Sequence, residues 1–503
     1  MSAAQPGPKL IAARSLAGNT VWNLLGQLLP MAAALVAVPP LVSGLSVPRF
    51  GVLSLILVVI GYFGLLDLGI GSALTKMVAD HVGARRETET VPLVWTSLFL
   101  MLLLGALGGL GVLALSPWLV HRVLKVPPSL QDETLRAFYL MSLSVPSVTL
   151  TSGLRGILEG LQRFRAANLI RIPMSIFSYA GALLVLPFSR SLVWVVAVLA
   201  LSRAVGCLIY LWACLRAWPG LRGRLALEPR LVRPVVIFGG WMTVSNVINP
   251  ILVYADRFVV GAMVSVTLTA FYTVPFDVVV RLLVIPGAIA GVLFPAFAFR
   301  LAQDPYRAEV LFSRSLKYIV LSAFPVALIA VTLAPEGLQL WLGASFTEKS
   351  TPVLRWLAAG VFVNSLAHIP FALVQSAGRP DITAKLHLLE LPLYLVAVWA
   401  LTRTMGIEGT AIAWAGRLTL DTLLIAFVID RVLWPHKKSL LKIGAVAGGG
   451  LLLLGLATLP ATLTMKLTFL GLILTGFVLT AWFLVLNREE RVFLVTPRNT
   501  ERL

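Results

Sequence analysis

The stretch Pro92–Leu115, PLVWTSLFLMLLLGALGGLGVLAL, runs for 24 residues without a charged side chain. About 20 predominantly apolar residues in a helix cross the hydrocarbon core of a bilayer, so this segment reads as a membrane span. Similar segments precede it at 17–42 and 50–75. The pattern continues at 134–158, 166–187, 191–214, 235–260, 267–294, 316–334, 352–376, 383–402, 406–430, 440–460 and 467–486. The expected fold class is an all-α integral membrane protein with about 14 transmembrane helices. Its 503 residues are 58% hydrophobic and 13% charged, a composition that excludes an ordinary soluble domain.

The formal charge of +19 raises nucleic acid as a partner, but the basic residues form no exposed tract. They sit in short connections, where retention on the cytoplasmic side accounts for them. With the N-terminus inside, inner connections hold Lys76, Arg85 and Arg86, then Arg163, Arg165 and Arg171, then Arg216, Arg222, Arg224, Arg230 and Arg233. Further along, the inner side collects Arg300, Arg307, Arg314 and Lys317, and then Arg431, Lys437, Lys438 and Lys442. The outer side holds Arg49, Arg122, Lys125, Arg190, Lys349, Arg403 and Lys466. This bias places both termini in the cytoplasm. The opening MSAAQPGPKLIAAR lacks the h-region and cleavage site of a signal peptide, so the first span is expected to stay as a signal anchor.

Cys207 and Cys214 lie seven residues apart on one helix, roughly 10 Å along its axis. That is too far for a disulfide, and two small buried hydrophobes are expected. No metal or redox site is visible. Trp118, Trp218, Trp341 and Trp434 near span ends read as interface anchors. Arg300–Lys317 carries apolar residues at near-helical spacing among arginines and reads as an amphipathic helix on the inner surface.

The basic connection 216–233 divides the chain into comparable parts. Thr20-Val21-Trp22-Asn23 in the first span is echoed by Thr243-Val244-Ser245-Asn246 in the seventh. Arg49-Phe50-Gly51 and Ala270-Phe271-Tyr272 open the runs that follow them. The expected organisation is an N-lobe at 1–215, an inter-lobe loop at 216–233, a C-lobe at 234–435, and two further helices with a tail at 436–503. Parallel repeats of this kind usually carry a substrate path at their interface.

Asn19-Thr20-Val21-Trp22-Asn23, Arg49-Phe50-Gly51, Gly61-Tyr62-Phe63 and Asp67-Leu68-Gly69-Ile70-Gly71 resemble the opening of polysaccharide (O-antigen-type) flippases. Those flippases belong to the multidrug/oligosaccharidyl-lipid/polysaccharide (MOP) superfamily. Leu158-Glu159-Gly160-Leu161-Gln162-Arg163-Phe164, Asp256-Arg257-Phe258, Ser376-Ala377-Gly378-Arg379-Pro380 and Gly406-Ile407-Glu408-Gly409-Thr410-Ala411 extend the resemblance. It implies a V-shaped bundle of two six-helix lobes plus two C-terminal helices, alternating between inward- and outward-open forms. It also implies a substrate, undecaprenyl-pyrophosphate-linked glycan, moved from the cytoplasmic to the periplasmic leaflet of a bacterial inner membrane. Membrane lipids, protons or sodium, and polysaccharide polymerase machinery are the implied partners; no cofactor is implied. Drug-exporting relatives use an acidic residue in the first helix. Here that span has Asn19, Asn23 and Gln27 instead.

Ionisable residues within spans are the candidate site. Arg203, Arg281 and Arg417 fall near mid-span, and a guanidinium fork suits a pyrophosphate. The competing reading is helix-tying ion pairs, since Asp277–Arg281 and Arg417–Asp421 are each four apart on one helix face. Arg257 beside Asp256 is a fourth phosphate candidate, and both it and Arg355 can instead snorkel to the interface. Arg155 with Glu159 one turn on reads as an interfacial ion pair. Asp67 and Glu390 are deep carboxylates without an obvious basic neighbour in sequence. With Asp277 and Asp421 they are the candidates for ion coupling or lobe gating, Asp67 alternatively capping a broken helix. His368 reads as a hydrogen-bonded core histidine, and Asn246, Asn249 and Pro250 as a helix-unwinding element beside the path.

A cation-coupled drug exporter or a peptidoglycan-precursor flippase of the same fold is the alternative function. A membrane enzyme is disfavoured because no outer connection is long enough for an acceptor-binding domain. The GxxxxGK[ST] phosphate loop is absent, so no ATP is hydrolysed through such a loop.

Overall fold

The computed structural model describes residues 29–65, 87–161, 163–223, 251–433, 439–487 and 490–491 apart from Met31 and Asp304, with short stretches between them. Every regular element among the described residues is helical. Among the described residues ten helical stretches are long and apolar enough to cross a membrane; one of them, Pro128–Gly160, is two helices end to end, and another, Asp381–Leu433, has the length of two spans. Met1–Val274 and Pro275–Leu503 form two compact units.

The first unit contains α1 (Ala32–Leu45) and α2 (Val47–Leu65), joined at Ser46, whose φ of 74° turns the chain in one residue. Next come α3 (Glu87–Trp118), α4 (Gln131–Ser142), α5 (Val145–Gly160), α6 (Phe164–Val185), α7 (Leu192–Ala217) and α8 (251–263). The expected fourth span is thus two helices. Pro146 sits in the first turn of α5, where its missing N–H costs nothing but cannot continue a preceding helix. α9 (Val266–Val280) crosses from the first unit into the second.

The Arg49-Phe50-Gly51 motif anchors the start of α2. The Arg49 Nε donates to both Glu133 oxygens at 3.2 and 3.0 Å, and Glu133 also accepts the Leu192 backbone N–H at 2.6 Å. One carboxylate therefore ties α2, α4 and the N-terminus of α7, where a negative charge also suits the helix dipole. Gly51 packs so closely on the Val266 carbonyl that no Cβ would fit. On α5, a Cβ at Gly156 would collide with the Gly71 carbonyl and Thr75, so the small residue sets the interhelical distance.

The core of this unit gathers Val78, Leu98, Leu154, Ile157, Tyr210, Cys214 and Trp218. Trp218 is only 8% exposed. The expectation that it anchors the interface is corrected, because its ring fills the space at the end of α7. Trp118 is exposed, as an anchor would be. Both cysteines are free and buried, and the Cys214 thiol donates to the Leu154 carbonyl at 3.2 Å.

The second unit begins with the end of α9 and a 3₁₀ turn at Arg281–Leu283. α10 (Val284–Gln303), α11 (Pro305–Thr332), α12 (Ala334–Leu342), α13 (Ala344–Ser376), α14 (Pro380–Val428), α15 (Ser439–Leu456) and α16 (Leu463–Thr480) follow. α13 is central: it packs against α10, α11, α12 and α14 and buries Val353, Leu357, Phe362 and Leu366. α14 is broken at Gly406, with φ 62° and ψ −138°, between the two segments that the sequence reads as separate spans. The hydroxyls of Thr402 and Thr410, 2.7 Å apart, bridge the break. The expected amphipathic surface helix over Arg300–Lys317 is corrected. That stretch is shared between the end of α10 and the beginning of α11, so its apolar positions belong to two elements.

The last two helices attach at discrete polar points. Asp430 accepts the Ser439 and Leu440 backbone N–H groups at 2.9 and 2.8 Å. Lys466 donates to Glu336 at 2.6 Å. Burial raises the Glu336 carboxyl, but the Lys466 hydrogen bond, a backbone hydrogen bond and the Lys466 and Arg355 charges together leave the group below the usual carboxylate range.

Candidate functional site: charge inside the membrane helices

In the first unit, α5, α6 and α7 enclose a cavity of about 260 Å³ whose lining includes Thr151, Ser152, Arg155, Arg171, Arg203 and Tyr210. Each helix contributes residues three or four apart, the spacing that places side chains on one face: Thr151 and Arg155, Arg171 and Ser175, and Gly206 and Tyr210. None of the described lining residues is acidic.

Arg203 donates from one terminal nitrogen to the Ser178 hydroxyl at 3.2 Å, while its buried Nε finds no acceptor. Arg155 stands 3.4 Å from Glu159, and its Nε likewise makes no hydrogen bond. The Tyr210 hydroxyl donates to the Ala167 carbonyl at 3.0 Å, holding α7 against α6. A buried guanidinium nitrogen without an acceptor is costly.

Arg257, on α8, is 5% exposed, so it does not snorkel; its neighbour Asp256 is fully buried. Asp256 accepts the Tyr272 hydroxyl at 2.5 Å and the Arg257 backbone N–H at 2.7 Å, and the guanidinium lies 5.3 Å from the centre of the Tyr254 ring. The structure places Arg257 in this packed group and not on the α5–α6–α7 cavity.

In the second unit the two halves of α14 bring Glu390, Arg417 and Asp421 together. Glu390 is fully buried and Asp421 is 3% exposed. Arg417 lies 3.8 Å from Glu390 and over the Tyr394 ring at 5.3 Å. Glu390 has no obvious basic neighbour in sequence, and the fold supplies one in space: the break at Gly406 brings Arg417 to it. Asp421 lies close enough to Glu390 for the two charges to interact. Neither Glu390 oxygen accepts a hydrogen bond among the described residues, and Asp421 Oδ1 and Arg417 Nε are similarly unmatched. His368 and His387 lie within electrostatic range of Asp421. His368 Nδ1 is 3.0 Å from the Asn364 carbonyl, in keeping with a hydrogen-bonded core histidine.

Arg281 is half-buried in the 3₁₀ turn that packs against α13, and Asp277 is half-buried on α9. Arg355 donates to the Val331 carbonyl at 3.3 Å. Asp67, Asn19, Asn23, Gln27, Asn246, Asn249 and Pro250 lie outside the described residues.

Reading the spans one at a time flags Arg203 but does not link it to Arg155 and Arg171. The usable signal is the recurrence of hydroxyl side chains one turn from Arg155 and Arg171, which marks a polar stripe.

Comparison with known proteins adds the wider setting. The family profile described as polysaccharide biosynthesis protein matches residues 16–299. A putative O-antigen transporter of Shigella flexneri is 30% identical over 424 residues, which is 83% of this chain and 98% of the relative. The lipopolysaccharide biosynthesis protein WzxC of Escherichia coli K12 is 25% identical over 42% of each chain. Among solved structures, the lipid II flippase MurJ in an inward closed conformation superposes with a TM-score of 0.68 at 11% identity, covering 92% of this chain and 98% of that one. An inward-facing multidrug resistance MATE transporter of the MOP superfamily gives 0.64 at 16% identity, covering 84% and 99%. At these identities the two structures show a shared fold.

Proposed function

The chain belongs to the polysaccharide biosynthesis protein family, and we propose that it is a flippase for undecaprenyl-pyrophosphate-linked oligosaccharide repeat units. It carries them from the cytoplasmic to the periplasmic leaflet of a bacterial inner membrane and makes or breaks no covalent bond. Both termini are cytoplasmic in this reading, and two lobes alternate in access. The relative of 30% identity supports the choice of cargo. The observation that carries it is Arg203: a guanidinium in a membrane helix, facing a cavity whose described lining has no carboxylate. Such a cavity suits an anion, and a planar fork suits the paired oxygens of a pyrophosphate.

The buried Glu390 and Asp421, with Arg417 beside them, are the groups proposed to couple transport to a proton gradient. Two neighbouring buried carboxyls that face a single arginine favour a state in which one of them holds a proton. A cation-coupled drug exporter would use the same pair, so that feature favours the alternative. An exporter of cations, however, gains nothing from the arginine-lined cavity. The fold likeness to MurJ keeps a peptidoglycan-precursor flippase as a third cargo choice.

The test is leaflet accessibility of a defined lipid-linked oligosaccharide in proteoliposomes. Wild-type protein should expose the glycan to an external glycosidase, and Arg203→Ala should do so at less than a tenth of the rate, since a charge-assisted contact contributes roughly 1.5–3 kcal/mol. Equal rates with and without wild-type protein would end the flippase reading.

A further inference from the structure

Two histidines stand beside the buried acidic pair of the second unit, and the proposed function leaves both without a role. His368 comes from α13 and His387 from the first half of α14, and both lie within electrostatic range of Asp421. They are held differently. His368 Nδ1 is engaged with the Asn364 carbonyl at 3.0 Å, which leaves that ring one nitrogen for a proton. The His387 ring packs against Phe371 at 5.8 Å between centres and makes no hydrogen bond among the described residues. Both of its nitrogens are open to a proton.

We infer that His387 is the relay through which the Glu390–Asp421 pair exchanges its proton with the cytoplasm. The inference deepens the coupling role proposed for that pair and rests on it.

Charge balance favours this role, because a buried cluster is stable only when its charges compensate. With one proton on the acids, a single carboxylate faces Arg417, the imidazole is neutral, and the cluster has no net charge. When that proton moves to His387, the carboxyl O–H bond breaks and an imidazole N–H bond forms. Two carboxylates then face Arg417 and the imidazolium, and the net charge is again zero. The transfer leaves no uncompensated charge in the membrane. The charges that act on His387 are Asp421 and Arg417, both on the second half of α14, and Glu390 lies one turn along its own half.

Placement points the same way. Glu390 is fully buried and Asp421 is 3% exposed, whereas His387 is half-buried. α14 starts at Pro380, so His387 sits about 10 Å from that end and Glu390 about 4.5 Å deeper. The end itself is exposed and charged: Asp381 accepts from Arg379 and Lys385, each at 3.1 Å. In the proposed topology this end is cytoplasmic. Exposed ion pairs, a half-buried imidazole and buried acids therefore follow one another from the inner surface. Among the described residues no three of the histidines and carboxylates are grouped to hold a metal ion, so the set is a string and not a cage. An imidazole titrates ordinarily near pH 6.5, roughly mid-range for a cell, and takes a proton at one nitrogen while giving one up at the other. From His387 the proton leaves to water at the inner surface, and the acids are ionised for the next cycle.

The experiment uses the full-length protein in proteoliposomes of uniform orientation, with a defined undecaprenyl-pyrophosphate-linked oligosaccharide as cargo. Glycan exposure and proton flux are recorded together while the pH of the cytoplasmic-side compartment is varied from about 5 to 8. Wild-type gradient-driven flipping should follow that pH. His387→Gln, whose amide does not titrate, should slow it about tenfold or more and flatten the dependence. His387→Ala should be equally slow and regain rate when imidazole is added, a recovery that a packing role against Phe371 does not predict. His368→Gln should keep the pH dependence. His387→Gln with flipping and proton flux like those of the wild type would overturn the relay and keep the coupling pair. A slow His387→Ala that imidazole fails to accelerate would overturn the relay and leave His387 a packing role. Loss of the dependence in His368→Gln alone would overturn the choice of His387 and move the relay to α13. Dependence on the opposite compartment alone would overturn the cytoplasmic exit. A wild-type rate indifferent to the pH gradient removes the coupling reading itself, and the relay with it.

Discussion

In the first unit, Arg155, Arg171 and Arg203 face a cavity with no carboxylate among its described lining residues. In the second, Arg417 stands 3.8 Å from a fully buried Glu390 with Asp421 alongside. Both are charged groups inside membrane helices, but their energetics differ. A cation that lines a cavity keeps donors free for a ligand, as the Arg203 Nε does. A buried cluster must balance its own charge at all times. The first arrangement is suited to binding, and the second to switching between two internal arrangements.

The largest expected effect tests the second half of that contrast. Arg417→Met leaves Glu390 and Asp421 buried without their cation, a loss of roughly 3–5 kcal/mol when one partner of a buried pair is removed. The measurement is the thermal unfolding midpoint of the purified protein in detergent, which should fall steeply. Adding Glu390→Leu should restore much of it, because the uncompensated charge is gone. If Arg417→Met instead keeps its midpoint and loses substrate binding, Arg417 is the phosphate ligand that its mid-span position suggests. The contrast between the units then collapses.

Arg203→Gln should behave in the opposite manner. Its Nε has no acceptor, so neutralising the side chain relieves desolvation and leaves the midpoint equal or higher. Lipid diphosphate affinity should drop roughly tenfold, as expected for one charge-assisted contact. A midpoint that falls as far as that of Arg417→Met would show that Arg203 is structural.

A smaller effect is expected at Glu133, which serves Arg49 and the start of α7 together. Glu133→Ala should reduce stability by roughly 1–3 kcal/mol, because it strips a partner from a half-buried guanidinium and from a helix N-terminus. Glu133→Gln should recover part of the loss through its remaining carbonyl. Amide exchange in the first turn of α7 provides the local readout, and no acceleration there would place the clamp elsewhere.

These residues show how far the sequence reaches. Helix existence is legible because hydropathy over some 20 residues is a sum that no single neighbour can alter, and the break at Gly406 falls between two such sums. Mid-membrane charge is legible for the same reason, since an arginine at position 203 or 417 interrupts an apolar run. Partners are not. The i, i+4 spacing pairs Arg417 with Asp421 on one face of α14 and is silent about Glu390, which reaches Arg417 only because the helix folds back on itself. Arg155, Arg171 and Arg203 lie on three helices, so their convergence depends on how α5, α6 and α7 pack. Trp218 teaches a similar lesson, because a tryptophan at a helix end reads as an anchor until the core around it is known.

The smallest expected effect concerns an ion pair whose carboxylate lies beyond the last span. Glu490 accepts from Lys317 at 2.6 Å, from the Tyr318 hydroxyl at 2.7 Å and from the Asn487 backbone N–H at 2.8 Å. Burial raises its carboxyl, but these hydrogen bonds and the lysine charge prevail and hold it down to about 2, against an ordinary value of 4.5. A carboxyl whose folded value is depressed stabilises the fold fully above its unfolded value and loses that contribution as the pH falls through the folded one. The tie between the segment after α16 and α11 should therefore be intact above pH 4.5 and loosen progressively as the pH falls toward 2. A spin label at Asn487 should gain mobility across that window. Glu490→Gln should be mobile at every pH, since an amide neither titrates nor attracts Lys317 as a charge. Because both side chains are largely shielded, at 15% and 11% exposure, added salt should shift the curve little. A mobility that stays flat in the wild type would mean that α16 is held by its apolar contacts alone, among them Phe477 against Phe324 at 5.1 Å.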